Sequence, residues 1–331
     1  MIGPRVLVTR RPPGDALKRL RAACRVDLWA EDRPIPPEEL CRRAGEAEGI
    51  YSMLTDPIDE PLLEAAPLLR VVSNMAVGVD NIDVPACTRR GIPVGHTPEV
   101  LKETVADTVF ALLMAAARRI VEGVDYVRAG KWGPWDPELL LGQDVHAGTL
   151  GIIGLGRIGR AVARRGTGFG MRLLYHNRRP DPEAETAMGT SYRALEELLE
   201  QSDFVVVLCP LTAETYHLID EGALRRMKPT AILVNGARGG IVDPKALERA
   251  LREGWISAAA LDVTEPEPIE PDDPLLALPN CIIIPHLGSA SQATRVAMAD
   301  MAVANLLAGL QGEQLPRCVN PEVYGREGCP Q

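Results

Sequence analysis

Short apolar runs alternate with amphipathic stretches along most of the chain. Residues 5–9 (RVLVT), 25–29 (RVDLW), 49–54 (GIYSML) and 69–73 (LRVVS) are brief and rich in branched side chains, which predicts strands. Between them, residues 14–23 place Leu17 and Leu20 on one helical face, and a Pro-rich link at 33–37 leads into a helix over 38–45. Strand and helix in turn predict a parallel sheet, so the first ~95 residues read as a small α/β domain. A long helix is predicted over 100–120, with Ala106, Val109, Phe110, Leu113 and Met114 on its apolar face and Arg118 and Arg119 in its last turn. Residues 130–142 form a Pro/Gly-rich loop carrying Trp132 and Trp135, side chains suited to anchoring an interface or inserting into a core. The strand rhythm then resumes at 150–153, 172–175, 204–208, 231–235, 256–261 and 281–285, and a helix over 292–310 closes the chain.

The stretch 149–179 changes this picture from a fold class to a chemistry. A buried strand runs into Gly154-Leu155-Gly156-Arg157-Ile158-Gly159, and a helix with Ile158, Val162 and Ala163 on one face follows. The first glycine permits the tight turn, the second lets backbone approach a pyrophosphate, and the third lets helix and strand pack closely. The helix N-terminus then offers N–H groups to the anion. In this strand–turn–helix–strand setting the motif predicts a dinucleotide site. The second strand ends in Asn177-Arg178-Arg179, with no carboxylate before Asp181 to take a ribose hydroxyl. Two guanidiniums suit a 2′-phosphate, so NADP(H) is expected ahead of NAD(H).

Three polar residues follow three later strands: Arg238, Glu267 and His286. In an open parallel sheet such ends share one crevice beside the pyrophosphate site. A carbonyl accepting a hydride develops negative charge on oxygen, and histidine can donate a proton near neutrality. A carboxylate such as Glu267 would orient that ring, while Arg238 can fork onto a substrate carboxylate. After the fourth predicted strand, Val77-Gly78 offers two adjacent N–H groups as an anion nest or a plain turn. His96, His146, His176 and His217 lack such settings and read as surface or packing residues.

Composition narrows the class. The chain is 46% hydrophobic and 24% charged, with net charge −9 and acidic residues interleaved with arginine, so no nucleic-acid partner is expected. No uninterrupted apolar run predicts a membrane span, and the N-terminus lacks a signal-peptide core. The seven cysteines are scattered without a C-x-x-C, which predicts neither disulfides nor metal and a reducing cytoplasm.

The stretches GLGRIG (154–159), NGARGGIVD (235–243), LDVTEPEP (261–268) and PHLGSAS (285–291) resemble the D-isomer-specific 2-hydroxyacid dehydrogenase family in order and spacing. The resemblance runs from the first strand to about Pro316. NMAVGVDNID, RRGIPVGHTPEVL and KWGPWDP are most similar to its glyoxylate/hydroxypyruvate reductase branch. The resemblance implies two Rossmann-like domains with parallel sheets. A cofactor domain (99–286) would be inserted into a flavodoxin-like substrate domain (1–98 and 287–331). It implies the roles given above for Arg238, Glu267 and His286, and substrate carboxylate binding by Val77 and Gly78. Trp135 would reach the neighbouring subunit of a homodimer. Thr104, Cys209, Pro210, Gly236, Asp262 and Gly288 would line the cofactor beside Gly154, Gly156, Arg157, Ile158, Gly159, Asn177, Arg178 and Arg179. The implied reaction is NADPH-dependent reduction of glyoxylate and hydroxypyruvate. Phosphoglycerate, D-lactate or 2-ketogluconate dehydrogenases, and a dinucleotide-sensing corepressor, are the alternatives. The absence of basic residues over 49–69 weakens the phosphorylated substrate. The tail 317–331 has no counterpart in the family pattern.

Overall fold

The computed structural model describes residues 3–325; Cys329 and the end of the tail lie outside the described residues. The chain forms two compact units. One runs to Leu101 and resumes at Ala290; the other is Lys102–Ser289, so the crossings fall slightly beyond the expected 98/99 and 286/287.

In the first unit, strands β1 (Arg5–Val8), β2 (Arg25–Leu28), β3 (Gly49–Ser52), β4 (Val71–Asn74) and β5 (Val94–Gly95) form a parallel sheet in the order β2-β1-β3-β4-β5. This is the flavodoxin-like order, whose ligand edge lies where the strand order reverses, between β1 and β3. The register pairs Leu7 with Ile50 and Ile50 with Val72, so apolar side chains align across the sheet. Helices α1 (Ala16–Ala23), α2 (Pro37–Ala44), α3 (Glu60–Ala65) and α4 (Val84–Arg89) are the crossovers. The last two begin with proline in the first turn and are capped by Asp59 and Asp83, which accept from the N–H of Leu62 and Ala86.

The second unit opens with α5 (Lys102–Ala117) and α6 (Ile120–Arg128). The single helix predicted over 100–120 is therefore two: Arg119 takes a left-handed conformation, φ +51°, and restarts the chain as α6. No residue of α6 is buried. Then come β6 (Thr149–Ile153), α7 (Arg157–Gly168), β7 (Arg172–His176), α8 (Pro182–Met188), β8 (Ser191–Tyr192), α9 (Leu195–Gln201), β9 (Phe204–Val207), α10 (Glu221–Arg226), β10 (Ile232–Asn235), α11 (Pro244–Glu253), β11 (Ala258–Leu261) and β12 (Cys281–Ile283). All seven strands are parallel, in the order β12-β11-β10-β9-β6-β7-β8. Counted from β6, this is the dinucleotide-binding order with one strand added. Strands β9 and β10 are wholly buried, which is why they read as continuous apolar runs.

The chain returns to the first unit as α12 (Gln292–Gln311). This helix corrects the expectation of no span-like segment: its length and mean hydropathy of 1.2 would suit a bilayer. In the fold that apolar surface faces the first sheet. The Ala302 carbonyl accepts from Ser73 Oγ at 2.8 Å, and a β-carbon at Gly309 would lie 2.5 Å from Val71. The tail also gains a role: the Val319 N–H bonds the Val94 carbonyl, and buried Asn320 accepts from the Val94 N–H, each at 2.8 Å. The tail therefore covers the open edge of β5.

Candidate active site

Strands β6 and β9 lie side by side although a helix, a strand pair and two more helices separate them, so the glycine turn stands at the second sheet's switch point. Gly154 sits at φ +101°, and a β-carbon there would meet the Cys209 N–H nitrogen at 2.5 Å. A β-carbon on Gly159 would lie 2.4 Å from the Gly154 carbonyl oxygen, so helix and turn can approach only without it. At Gly156, the N-cap of α7, a β-carbon would meet nothing within 4 Å. The open volume therefore lies where the first-turn N–H groups of α7 lack helical partners, and it fits a pyrophosphate. Gly156 and Arg157 are exposed and Ile158 is half-buried. Asn177 holds the turn itself, its Oδ1 accepting from the Leu155 N–H at 2.7 Å. Arg178 and Arg179 are exposed beyond it. Asp181, the first carboxylate after β7, pairs with Arg160 and caps α8 through the Ala184 N–H. Burial pushes the Cys209 thiol up to about 11, so Cys209 serves as a packing group next to exposed Pro210.

Arg238, Glu267 and His286 follow β10, β11 and β12, three adjacent strands of this sheet. Buried Asn235 shapes the first loop: its amide donates to the Arg238 carbonyl at 2.9 Å and its Oδ1 accepts from the Ala237 N–H at 3.1 Å. Half-buried Arg238 turns one guanidinium nitrogen to the Ala237 carbonyl, 2.8 Å away. Gly236 packs against Val109 of α5, where a β-carbon would stand 2.5 Å from the valine methyl. Glu267 Oε1 lies 2.6 Å from His286 Nδ1, so Nε2 is left to carry a proton outward. His286 has a left-handed backbone, φ +52°. Asp262 explains how it is held. Its two carboxylate oxygens accept from the N–H groups of Leu287 at 2.6 Å and Gly288 at 2.9 Å, and its carbonyl accepts from the His286 N–H at 2.9 Å. Burial raises the Asp262 carboxyl above the usual carboxylate range, against the pull of those N–H groups and of His286. The Gly288 carbonyl accepts from Thr108 on α5 at 3.3 Å, which sets the first turns of that helix, with Thr104, beside the same loop.

In the first unit, Val77 and Gly78 follow β4, half-buried. Their carbonyls are occupied: His96 Nδ1 stands 3.0 Å from Val77 O, and the Asn74 amide donates to Gly78 O at 3.1 Å. Among the described residues their N–H groups donate no hydrogen bond that would turn them away from an anion. Asn74 also accepts from Ser52 Oγ at 3.1 Å, and the Asn81 amide donates to the carbonyls of Met53 and Asp56 at 3.1 and 2.8 Å. Sequence reasoning passed over Asn74, Asn81 and His96, because their partners are distant or lie in loops without a motif. Trp135 is 85% exposed, so its own chain does not enclose it.

A family model described as D-isomer specific 2-hydroxyacid dehydrogenase, NAD binding domain, matches residues 110–288. The chain is 55% identical over 323 residues to a glyoxylate reductase of Korarchaeum cryptofilum, covering 97% of each protein. A crystal structure of a Thermus thermophilus protein superimposes with a TM-score of 0.90 at 48% identity, covering 95% of this chain and 99% of that one. The NADPH-dependent glyoxylate/hydroxypyruvate reductase of Sinorhizobium meliloti, solved with NADP and malonate, gives 0.84 at 34% identity over 98% and 99% of the two chains.

Proposed function

The chain belongs to the D-isomer-specific 2-hydroxyacid dehydrogenase family, NAD(P)-dependent oxidoreductases, and from that premise we propose that it reduces glyoxylate and hydroxypyruvate with NADPH. The observation that carries the reading is the His286–Glu267 pair, 2.6 Å apart, on the sheet edge that also bears the glycine turn. The substrate assignment is supported by the names of the relatives. When bound, the nicotinamide supplies the hydride. Gly154, Gly156, Arg157, Ile158 and Gly159 would hold its pyrophosphate, with Thr104, Cys209, Pro210, Gly236, Asp262 and Gly288 along the rest. His286 holds the proton at Nε2 and gives it to the oxygen as negative charge grows there, while Glu267 fixes the ring through Nδ1. Arg238 clamps the substrate carboxylate and polarises the carbonyl. The N–H groups of Val77 and Gly78 in the first unit are proposed as carboxylate donors, supported by their donating to no backbone acceptor among the described residues.

Preference for NADPH is part of the proposal. Its support is that Arg178 and Arg179 are exposed where a carboxylate would otherwise stand, and that Asp181 is already engaged by Arg160 and the α8 cap. A homodimer is proposed from the side chains the chain leaves uncovered in one stretch: Ile120, Val124 and Val127 of α6, then Trp132, Trp135 and Leu141. A reducing cytoplasmic setting is proposed from the scattered cysteines, which form no C-x-x-C.

The test is a steady-state assay of both keto acids with NADPH and with NADH, alongside His286→Ala. NADPH oxidation that falls about 1000-fold in the variant supports the reading. Turnover with NADH alone overturns the cofactor preference. Tight dinucleotide binding without turnover of either acid overturns the reductase reading. Sedimentation of the wild type and of Trp135→Ala tests the dimer.

A further inference from the structure

The loop 264–268 (TEPEP) carries two carboxylates, and each grips a histidine. Glu267 holds His286; Glu265 Oε2 stands 2.7 Å from Nε2 of His217. The two histidines share an unusual backbone, φ +52° and +50°. A left-handed conformation is disfavoured for a residue with a β-carbon, and it persists only where the surroundings impose it. His217 lies outside the sites described so far.

Its position relates two of the catalytic loops. The His217 N–H donates to the Gly240 carbonyl at 2.8 Å, and the Ile219 N–H donates to Ile241 at 3.0 Å, so this segment pairs with the chain just past Arg238. The ring of His217 points the other way, to the loop of Glu267. Between the two loops, Gly239 rests directly on the Thr264 carbonyl, where a β-carbon would come within 1.9 Å of the oxygen. The groups facing His217 are few. Besides Glu265 they are Asp243, whose Oδ2 is 4.0 Å from Nδ1, and Tyr216, whose ring stacks at 3.9 Å. The His217 and Glu265 side chains are 29% and 33% exposed, and a pair so open to water adds little to global stability. Stability therefore does not account for the strained backbone.

We infer that His217 is a positioning residue of the reductase site: through Gly240 and Glu265 it latches the loop of Arg238 to the loop of Glu267. The substrate clamp and the proton donor's partner are thereby held at a fixed separation. Rate depends steeply on such placement, because a shift of about 1 Å can cost about 100-fold. The inference rests on the roles proposed above for Arg238, Glu267 and His286.

The experiment compares wild type, His217→Ala, Glu265→Ala, the double variant, His217→Gln and His286→Ala. For each, kcat, KM for glyoxylate, Kd for NADPH and the melting curve are measured. A latch lowers kcat about 10- to 100-fold in either single variant, with Kd for NADPH within about twofold of wild type. The double variant then loses no more than the worse single, since both remove one interaction. His217→Gln, which keeps an N–H donor near the position of Nε2, regains most of the rate. A His217→Ala kcat within about twofold of wild type overturns the inference, as do losses that multiply in the double variant. So does a rate loss matched by weaker NADPH binding and a collapsed melt, which marks a merely structural part. If His217→Ala does not melt cooperatively, Glu265→Ala carries the same comparison. Loss of kcat in His286→Ala without loss in the latch variants sinks this inference alone; wild-type kcat in His286→Ala sinks the reading beneath it.

Discussion

At the switch point of the first unit, between β1 and β3, side chains fill the space that the second unit leaves open between β6 and β9. Asp56, 2% exposed, accepts there from the Thr9 hydroxyl and, at 2.7 Å, from the Met53 N–H. Arg10, next along the chain, has a buried guanidinium nitrogen with no hydrogen-bond partner among the described residues. At the matching place in the second unit stand Gly154 and Gly156, and the space above Gly156 is empty of protein atoms to 4 Å. The two sheets share parallel strands and crossover helices. What differs is whether the ligand edge is packed with polar side chains that brace loops or cleared for a bulky anion. Parallel topology thus supplies the edge, and the residues at the first turn decide its use.

That contrast can be broken most severely at Gly156. A leucine there enters only open space, so the melting temperature should hardly move, while Kd for NADPH weakens about 100-fold or more; an unchanged Kd would place the anion elsewhere. Gly159→Ala should act first on stability. Its β-carbon meets backbone at 2.4 Å, so chemical denaturation should show a loss of about 2–3 kcal/mol. In the packed edge, Asp56→Ala strands the Met53 N–H and leaves the Thr9 hydroxyl only the Tyr51 carbonyl at 3.2 Å, which should cost about 1–3 kcal/mol and leave Kd for NADPH unchanged. Burial raises the Asp56 carboxyl above its ordinary value. Its stabilising share is therefore full below the usual carboxylate pKa and is lost as pH rises through the raised one. Wild type and Asp56→Ala should accordingly converge in stability toward higher pH, and a gap that widens would contradict that sign. The smallest effect is expected at the 2′-phosphate: Arg178→Ala or Arg179→Ala should weaken NADPH about tenfold and leave NADH unaffected, read by fluorescence titration.

The same contrast explains what could be seen in advance. The glycine turn was legible because its three requirements are local: a left-handed φ, a close helix approach and a cleared volume within six residues. The placement of Arg238, Glu267 and His286 along one sheet edge was legible because each lies in the loop after an apolar strand whose direction is forced by the parallel sheet. Arg10 was not. The stretch 49–69 has no basic residue, yet β1 pairs with β3 at Val8 and Tyr51, which brings Arg10 to that loop's edge from about forty positions away. His217 was set aside for a similar reason. Nothing around it in the chain marks a partner, and Glu265 is 48 residues downstream. The break at Arg119 escaped because α5 and α6 share an unbroken helical composition, and only the left-handed residue between them ends the first.

By itself the sequence determined the α/β class, the order of the longer strands, the glycine turn and the positions of the three polar residues after their strands. These follow from the period of side-chain burial and from steric rules acting over a few residues. Only the tertiary structure decided that Asp262 holds the His286 loop through two backbone N–H groups, that Asn74 and Asn81 brace the Val77–Gly78 loop, and that the tail past Pro316 covers the edge of β5. The first and last are hydrogen bonds between segments far apart in sequence, and Asn81 also reaches back 28 and 25 positions to the carbonyls of Met53 and Asp56. The partner of a polar group is chosen by which strands lie side by side, and a linear pattern does not record that choice.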